Sequence, residues 1–291
     1  MGSINLLVNG LKKGGRMKNL LKKLSKLRGR IYLVGGAVRD QLMGLKPHDL
    51  DYVITGLTIE QMVTLFGDAI TGTNAPVWQT PYGEIALARK ERRYGVGYNG
   101  FQFYVGPSIT IEEDLLRRDF AINAMAIDVE TGKLIDPFNG KADIKRKVIE
   151  HIDQEGFLED PIRVLRAARF AARLNFIIAE RTVKLCKIAA TILYSYKIER
   201  ISLEFEKALK EGNIVTFIEN LIDMGVIEET FPIFKDFKVI PAGKGRHGDE
   251  SLLEHTKIVC ERMPKDSISQ FVGLMHDIGK IGIPDSILQK P

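Results

Sequence analysis

Acidic residues are missing from the start of this chain of 291 residues. No Asp or Glu precedes Asp40, whereas ten Lys and Arg do. That excludes an N-terminal segment that balances its own charge, and it suits a polyanionic partner such as RNA. Two other readings stay open: a solvated arm without a ligand, and an acid-poor organelle transit peptide. Met17 is an alternative start. Leu20, Leu21, Leu24 and Leu27 have helical spacing, so "MKNLLKKLSKL" also fits a helix with one face packed onto a domain.

Cysteine is nearly absent too. Cys186 and Cys260 are the only two, in helical-looking stretches without metal-ligand spacing. A secreted disulfide scaffold is excluded, and the simplest expectation is buried thiols in a reducing cytoplasm. No apolar run reaches the roughly 18 residues of a membrane span. There is no internal repeat and no low-complexity tract. The composition, 45% hydrophobic and 27% charged, is ordinary for a globular protein, and the length allows two or three compact units with real cores.

From Ile31 to about Ile135 strand and helix patterns alternate. "IYLVGG", "DLDYVIT", "EIALAR" and "FQFYVG" read as strands, and "AVRDQLMG" and "TIEQMVTLFG" as helices. "LLRRDFAINAMAIDV" reads as a helix leading into a strand. After a turn at Asp136 to Gly140 the pattern is almost wholly helical. In "FLEDPIRVLRAARFAARLNF", Asp160 is expected to cap the helix and Pro161 to be its first residue. A Gly/Pro-rich break precedes a last helical segment from Leu252.

Within "LVGGAVRDQLMGLKPHDLDYVITG", Asp49 and Asp51 are two apart on an expected strand, so both carboxylates face one way and Leu50 faces the core. Paired carboxylates repel unless a cation separates them. Oxygen-only ligation suits Mg²⁺, which shares its shell with phosphates. Two exposed carboxylates on an edge strand are the plain alternative. Gly35 and Gly36 end a strand and open a helix, where a phosphate can approach backbone N–H groups. Arg39, one helical turn beyond Gly36, can reach the same anion. A phosphate cradle followed by D-x-D is an arrangement for two-metal nucleotidyl transfer. Glu84 is the candidate third carboxylate, with an ordinary surface glutamate as the alternative.

These stretches, with "DLLRRDFAINAMA", "LIDPFNGKADI" and "EDPIRVLRAARFAARLNF", occur in the order that resembles class II tRNA nucleotidyltransferases (CCA-adding enzymes) and their poly(A) polymerase relatives. "IALARKERRYGVGYNGFQFYV" resembles in particular the multifunctional CCA proteins with a C-terminal HD domain. The resemblance covers roughly Ile31 to Glu206. It implies an α+β architecture: a polymerase-β-like head with a small mixed sheet, then an all-α neck and body and a partial all-α HD domain. The expected limits are 1–30 for a basic extension, 31–140 for the head, 141–232 for the body and 247–291 for the incomplete HD domain.

By position, Asp49 and Asp51 match the catalytic Mg²⁺ ligands. Gly35, Gly36, Arg39 and Arg118 match nucleotide-binding residues. Arg163 and Arg166, with Asp160 beside them, match base- and phosphate-reading groups. An Asp–Arg pair makes chemical sense there, because cytosine and adenine both present an amino donor beside a ring-nitrogen acceptor, and uracil and guanine present the reverse. Arg163, Arg166, Arg169 and Arg173 fall on one helical stripe, which fits a phosphate partner or a solvated basic face. Ala121 stands where the family usually has Thr. The glycine-rich segment from Arg89 to Gly100 resembles a flexible loop of the family, with an ordinary hairpin connection as the plain alternative.

The implied activity is template-independent addition of C, C and A to the tRNA 3′ end from CTP and ATP, with the tRNA 3′ end and acceptor arm as partner. The expected setting is the cytoplasm, with no membrane and no stable protein partner. CC-only or poly(A) addition shares the same motifs. His255, His276 and Asp277 resemble the start of an HD-type metal phosphohydrolase whose last expected Asp is missing, Asp285 being too close to serve. Hydrolase activity and a non-catalytic RNA-binding relic are the readings from other classes.

Overall fold

A computed structural model of the chain describes residues 15–71, 76–93, 101–193, 196–243 and 250–288. Residues 1–14, residues 94–100 of the segment expected as a loop from Arg89 to Gly100, and the break at 244–249 lie outside the described residues; Arg89–Arg93 of that segment form a strand instead. The chain divides into two compact units. The first ends at Arg146 and adds Glu150–Gly156; the second comprises Lys147–Ile149 and everything from Phe157.

The first unit is built on a six-stranded mixed sheet in the order β3-β4-β2-β1-β7-β8. The strands are β1 (Arg30–Val34), β2 (Asp51–Thr55), β3 (Val77–Thr80), β4 (Gly83–Leu87), β7 (Ala126–Asp128) and β8 (Leu134–Ile135). β1 runs antiparallel to both of its neighbours, β2 and β7, and β2 runs parallel to β4. Alternation along the strands sends side chains to two separate cores. Ile31, Leu33, Tyr52, Ile54, Ile85 and Leu87 pack on one face with Met17, Leu20 and Leu24 of α1 (Gly15–Lys26), Val38 of α2 (Gly36–Leu42) and Met62 of α3 (Ile59–Phe66). Tyr32, Val34, Val53 and Ala126 pack on the other with Ile111 and Leu115 of α4 (Ile111–Leu116). A two-stranded ribbon, β5 (Arg89–Arg93) and β6 (Phe101–Val105), completes the main strands of this unit.

Two local expectations are corrected. The helix expected across "LLRRDFAINAMA" stops at Leu116, and Ala121–Asn123 form a separate short 3₁₀ turn before β7. The apolar residues there serve two elements, which a single helical period cannot distinguish. The strand carrying the D-x-D begins only at Asp51, so Asp49 lies in a bend before it.

The second unit is helical: α5 (Gly140–Arg146) still belongs to the first, and α6 (Gln154–Glu159) leads across the division. α7 (Arg163–Leu174) is the central helix, packed by α9 (Ile198–Lys210) and α10 (Ile214–Asp223). α8 (Glu180–Ala190) and α11 (Ile227–Thr230) flank them, and a short parallel pair, β9 (Val148–Ile149) with β10 (Ile177–Ile178), sits at one end. The last main helices, α12 (Leu252–Arg262) and α13 (Ser267–Met275), pack on this same body: Lys257 meets Glu219 at 2.9 Å and Lys265 donates to the Gly212 carbonyl at 3.3 Å. Ile268, Phe271 and Val272 of α13 remain exposed. Cys186 and Cys260 are both buried and unbridged, and burial pushes their thiols up to about 12 and about 11.

Gly83 opens β4 at φ +125°, and a Cβ there would lie 2.0 Å from the Leu50 carbonyl oxygen. Only glycine lets β4 come this close to the bend between Asp49 and Asp51. Gly83→Ala is expected to cost about 2 kcal/mol or more, read as a lower urea midpoint with an unchanged slope.

Candidate active site

The parallel pairing of β2 and β4 sets Glu84 directly opposite Asp51. Both residues are exposed at the start of their strands. The Asp51 carboxyl is raised above its ordinary 3.8, first by partial desolvation, then by Glu84; Arg118 pulls it down and Asp49 adds a smaller upward push. Asp49, Asp51 and Glu84 therefore share one electrostatic site, with Leu50 partly buried against the core behind it. A set of hard oxygen donors that repel one another is the donor chemistry a Mg²⁺ ion relieves. Their donor chemistry fits Mg²⁺, and the three carboxylates do not all come within 4.8 Å of one another.

Arg118 stands over the glycines. A Cβ on Gly35 would lie 2.8 Å from Arg118 Nη1. Gly35 itself has φ +68° and donates its N–H to the Met125 carbonyl at 3.2 Å, so that amide is spent holding the turn to β7. The amides of Gly36 and Ala37 precede the hydrogen-bond ladder of α2. A Cβ at Gly36 would meet only Arg39, at 3.5 Å.

Arg39 is 2% exposed. Its guanidinium pairs with Asp40 at 2.7 Å, and its Nη1 donates to Asn123 Oδ1, also at 2.7 Å. Asn123 Nδ2 donates in turn to Asp119 Oδ1 at 3.2 Å, which also accepts from the Phe120 N–H at 2.8 Å. The "GGAVRD" and "RRDFAIN" stretches are thus joined by one buried polar chain. Below it, fully buried Asp114 accepts from the Arg89 N–H at 3.2 Å, from Arg117 Nε at 2.9 Å and from Arg118 Nη2 at 3.3 Å. Arg117 and Arg89 also share Glu91. Burial raises the Asp114 carboxyl, but the two guanidiniums and the donated hydrogen bonds outweigh it and hold it below 3.8.

In the second unit, Asp160 does not cap a helix. α7 begins at Arg163 with Ile162 as its N-cap and no side-chain capping bond. The Asp160 carbonyl closes a turn to the Arg163 N–H at 2.9 Å, while its Oδ2 accepts from Arg200 Nη2 of α9 at 2.9 Å. Asp160 Oδ1 is buried without a hydrogen-bond donor among the described residues. Proline at position 161 and the pull of Arg200 displace the expected cap.

The arginine stripe is divided. Arg169 is 5% exposed and bonds Glu204 at 2.7 Å and Glu211 at 2.6 Å. Arg173 also reaches Glu211, at 3.4 Å. Arg163 is half-buried. Arg166 lies farther from Glu204, at 3.6 Å, with its guanidinium 5.3 Å from the Phe170 ring centre. Arg169 and Arg173 form an internal clamp on the end of α9, because Glu204 of α9 and Glu211 just after it supply the acids.

Sequence reasoning missed Asn123, Asp114, Glu204, Glu211 and Arg200. Their signal was faint but present: a lone amide in an apolar run, an acid just before Arg117–Arg118, and acids spaced along α9 that could answer the stripe.

At the C-terminal end, His255 Nε2 lies 3.1 Å from His276 Nε2, and Asp277 Oδ2 is 3.4 and 3.2 Å from them. Among the described residues this is the one His/Cys/Asp/Glu group of three or more whose ligand atoms all lie within 4.8 Å. Lys280 Nζ approaches the same carboxylate at 2.6 Å.

A mixed-sheet head carrying paired carboxylates and followed by a helical body is the architecture of nucleotidyltransferases. Residues 31–150 match the Poly A polymerase head domain, and residues 175–238 match the "Probable RNA and SrmB- binding site of polymerase A". The chain belongs to the tRNA nucleotidyltransferase and poly(A) polymerase family. Among its relatives, the Multifunctional CCA protein of Thioalkalivibrio sulfidiphilus is 43% identical over 89% of this chain. The chain spans 65% of that relative's length. A tRNA-processing enzyme solved with CTP superposes with a TM-score of 0.56 at 34% identity, covering 71% of this chain and 56% of that one. A CCA-adding enzyme solved with ATP gives 0.59 at 32%, covering 75% and 54%.

Asp114 sets the expected acid sensitivity. Its pKa is lowered in the fold, so its contribution is complete above the unfolded value near 3.8 and is lost as pH falls through the lowered one. Asp114→Asn is expected to lower the unfolding temperature at neutral pH, and to flatten the loss of stability on acidification below about pH 4, read by thermal scans across pH.

Proposed function

We propose that this protein extends the 3′ end of tRNA by adding C, C and A from CTP and ATP, with release of pyrophosphate. The observation that carries this reading is the carboxylate pair Asp51–Glu84, beside Asp49 and under Arg118 and the Gly35 turn. Asp49 and Asp51 would hold two Mg²⁺ ions, with Glu84 at the edge of the same site. When bound, the metal lowers the pKa of the attacking 3′-hydroxyl and neutralises the triphosphate and the leaving pyrophosphate. Arg118 and the first amides of α2 hold phosphate oxygens. Arg39, already committed to Asp40 and Asn123, positions that turn and does not bind the anion itself.

Asp160 and Arg163 would read the base. Asp160 Oδ1 is an acceptor in want of a donor, which the amino group of cytosine or adenine supplies. Uracil and guanine present a carbonyl at that point and leave two acceptors facing. Arg166 would meet a phosphate or a base edge. The tRNA 3′ end and acceptor arm are the partner, and the cytoplasm is the setting. Among the described residues no helix is long and apolar enough to cross a membrane.

The test is purified protein with Mg²⁺, labelled CTP and ATP, and a tRNA ending before CCA. Addition of two C and one A is expected. C alone would select a CC-adding enzyme, and long A tails a poly(A) polymerase. Asp49→Ala and Asp51→Ala are each expected to abolish incorporation, and full activity in either would overturn the metal assignment. Because Asp51 faces the like charges of Glu84 and Asp49, Asp51→Asn is also expected to raise the unfolding temperature of the metal-free protein.

A second reading rests on His255, His276 and Asp277. Two imidazole nitrogens and a carboxylate would take a transition metal of the HD phosphohydrolase type. Phosphodiesterase activity that survives Asp51→Ala and vanishes in His276→Ala would support it; its absence from the unmodified protein, supplied with Mn²⁺ or Ni²⁺, would remove it.

A further inference from the structure

The nucleotidyl-transfer site leaves α1 unused. This helix lies before residue 31, where the match to the head domain begins. Met17, Leu20 and Leu24 are buried in the head core, with Leu21 and Leu27 packed against it. At about 100° per residue these five fill one arc. The remaining arc, about 160° wide by the same rotation, carries Arg16, Lys18, Lys22, Lys23 and Lys26. All five are exposed, and the helix contains no acid to answer them.

One row of that arc lines a groove. Arg16, Asn19 and Lys23 line it together with Leu65 and Phe66 at the end of α3 and with Gln79 to Tyr82. Its volume is about 310 Å³, the lower end of what a small ligand fills. Gln79 and Thr80 end β3, and Pro81 and Tyr82 form the turn into β4, two residues before Glu84. The groove therefore borders the hairpin that carries Glu84.

We propose that α1 and this groove are a second RNA-binding surface of the head, holding the phosphate backbone of the RNA being extended. Arg16 and Lys23 pair with phosphate oxygens, Asn19 and Gln79 supply neutral hydrogen-bonding groups, and the Phe66 and Tyr82 rings offer apolar faces to sugar or base. A basic amphipathic helix also suits an anionic membrane surface, but that mode needs the apolar face in the lipid, and here it is already inside the protein. The proposal takes its partner from the RNA-extending reading above; the charge arrangement stands without it.

The test compares two variants that remove equal charge from one helix of the full chain. Arg16→Gln/Lys23→Gln strips the groove row, and Lys18→Gln/Lys22→Gln strips the opposite row. Binding of fluorescently labelled tRNA lacking CCA is measured by anisotropy from 50 to 300 mM salt. The groove variant is expected to bind about tenfold more weakly, with the salt slope reduced by about one and a half; the control variant is expected to change about twofold at most. At saturating tRNA the groove variant keeps the wild-type kcat, and its KM for tRNA rises.

Equal weakening in both variants would show diffuse attraction and overturn the groove assignment. Unchanged binding in both would overturn a role for α1 in RNA binding. Polyglutamate that displaces the tRNA from wild type, but not from the groove variant, would assign the groove to an acidic protein partner instead. Should the wild-type protein transfer no nucleotide at all, the catalytic reading fails while the binding comparison is still read. Unfolding temperatures of both variants are expected to match wild type, since all four side chains are exposed.

Discussion

The head is organised by a guanidinium taken out of water. A buried arginine is tolerated only when its donors are met, because an unpaired charge in the interior costs several kcal/mol. Arg39 meets that condition with Asp40 beside it and Asn123 across the fold. Asn123 then passes the constraint to Asp119. The chain of bonds locks the β1–α2 turn against the turn that enters β7. With that distance fixed, Gly35 keeps its left-handed backbone, Arg118 lies over it, and the carboxylates of β2 and β4 acquire a cationic neighbour.

Arginines in this protein have two occupations, and the sequence pattern does not distinguish them. Arg39, Arg117 and Arg169 hold parts together: each is answered by acids, and each ties segments distant in the chain. Arg16 and its neighbours on α1 stand in solvent on a helix without acids. Arg118 belongs to both groups, since it bonds Asp114 and still acts on Asp51. The stripe on α7 shows the difference within one helix. Arg169 bonds Glu204 of α9 and Glu211 just beyond it, while Arg166, only three residues earlier, lies against the Phe170 ring and 3.6 Å from Glu204.

Where chemistry is concentrated in short motifs, the sequence was informative. Asp49, Asp51 and the Gly35–Gly36 pair lie within seventeen residues, and their proximity follows from one strand–helix–strand unit. Glu84 could be suspected from its strand but not placed, because its register against Asp51 depends on the close approach that Gly83 permits. Long-range partners were hidden for the same reason. Nothing local in "DFAINAMA" shows that its amide will satisfy an arginine 84 positions earlier. The Asp160 cap failed because the Asp-Pro signal is real only when the side chain has no better partner, and Arg200 is forty residues further on.

The span of the Arg39–Asn123 bond has a consequence for how the head is made. β1, β2 and β4 meet through connections of a few tens of residues, and closing loops of that size costs little more than closing shorter ones. The polar chain cannot close until β7 has been added on the far side of β1. Until Asn123 is made, Arg39 has Asp40 beside it but not the amide that ties its turn across the fold. Closure of the buried polar chain therefore waits on synthesis of the second motif, more than eighty residues after the first.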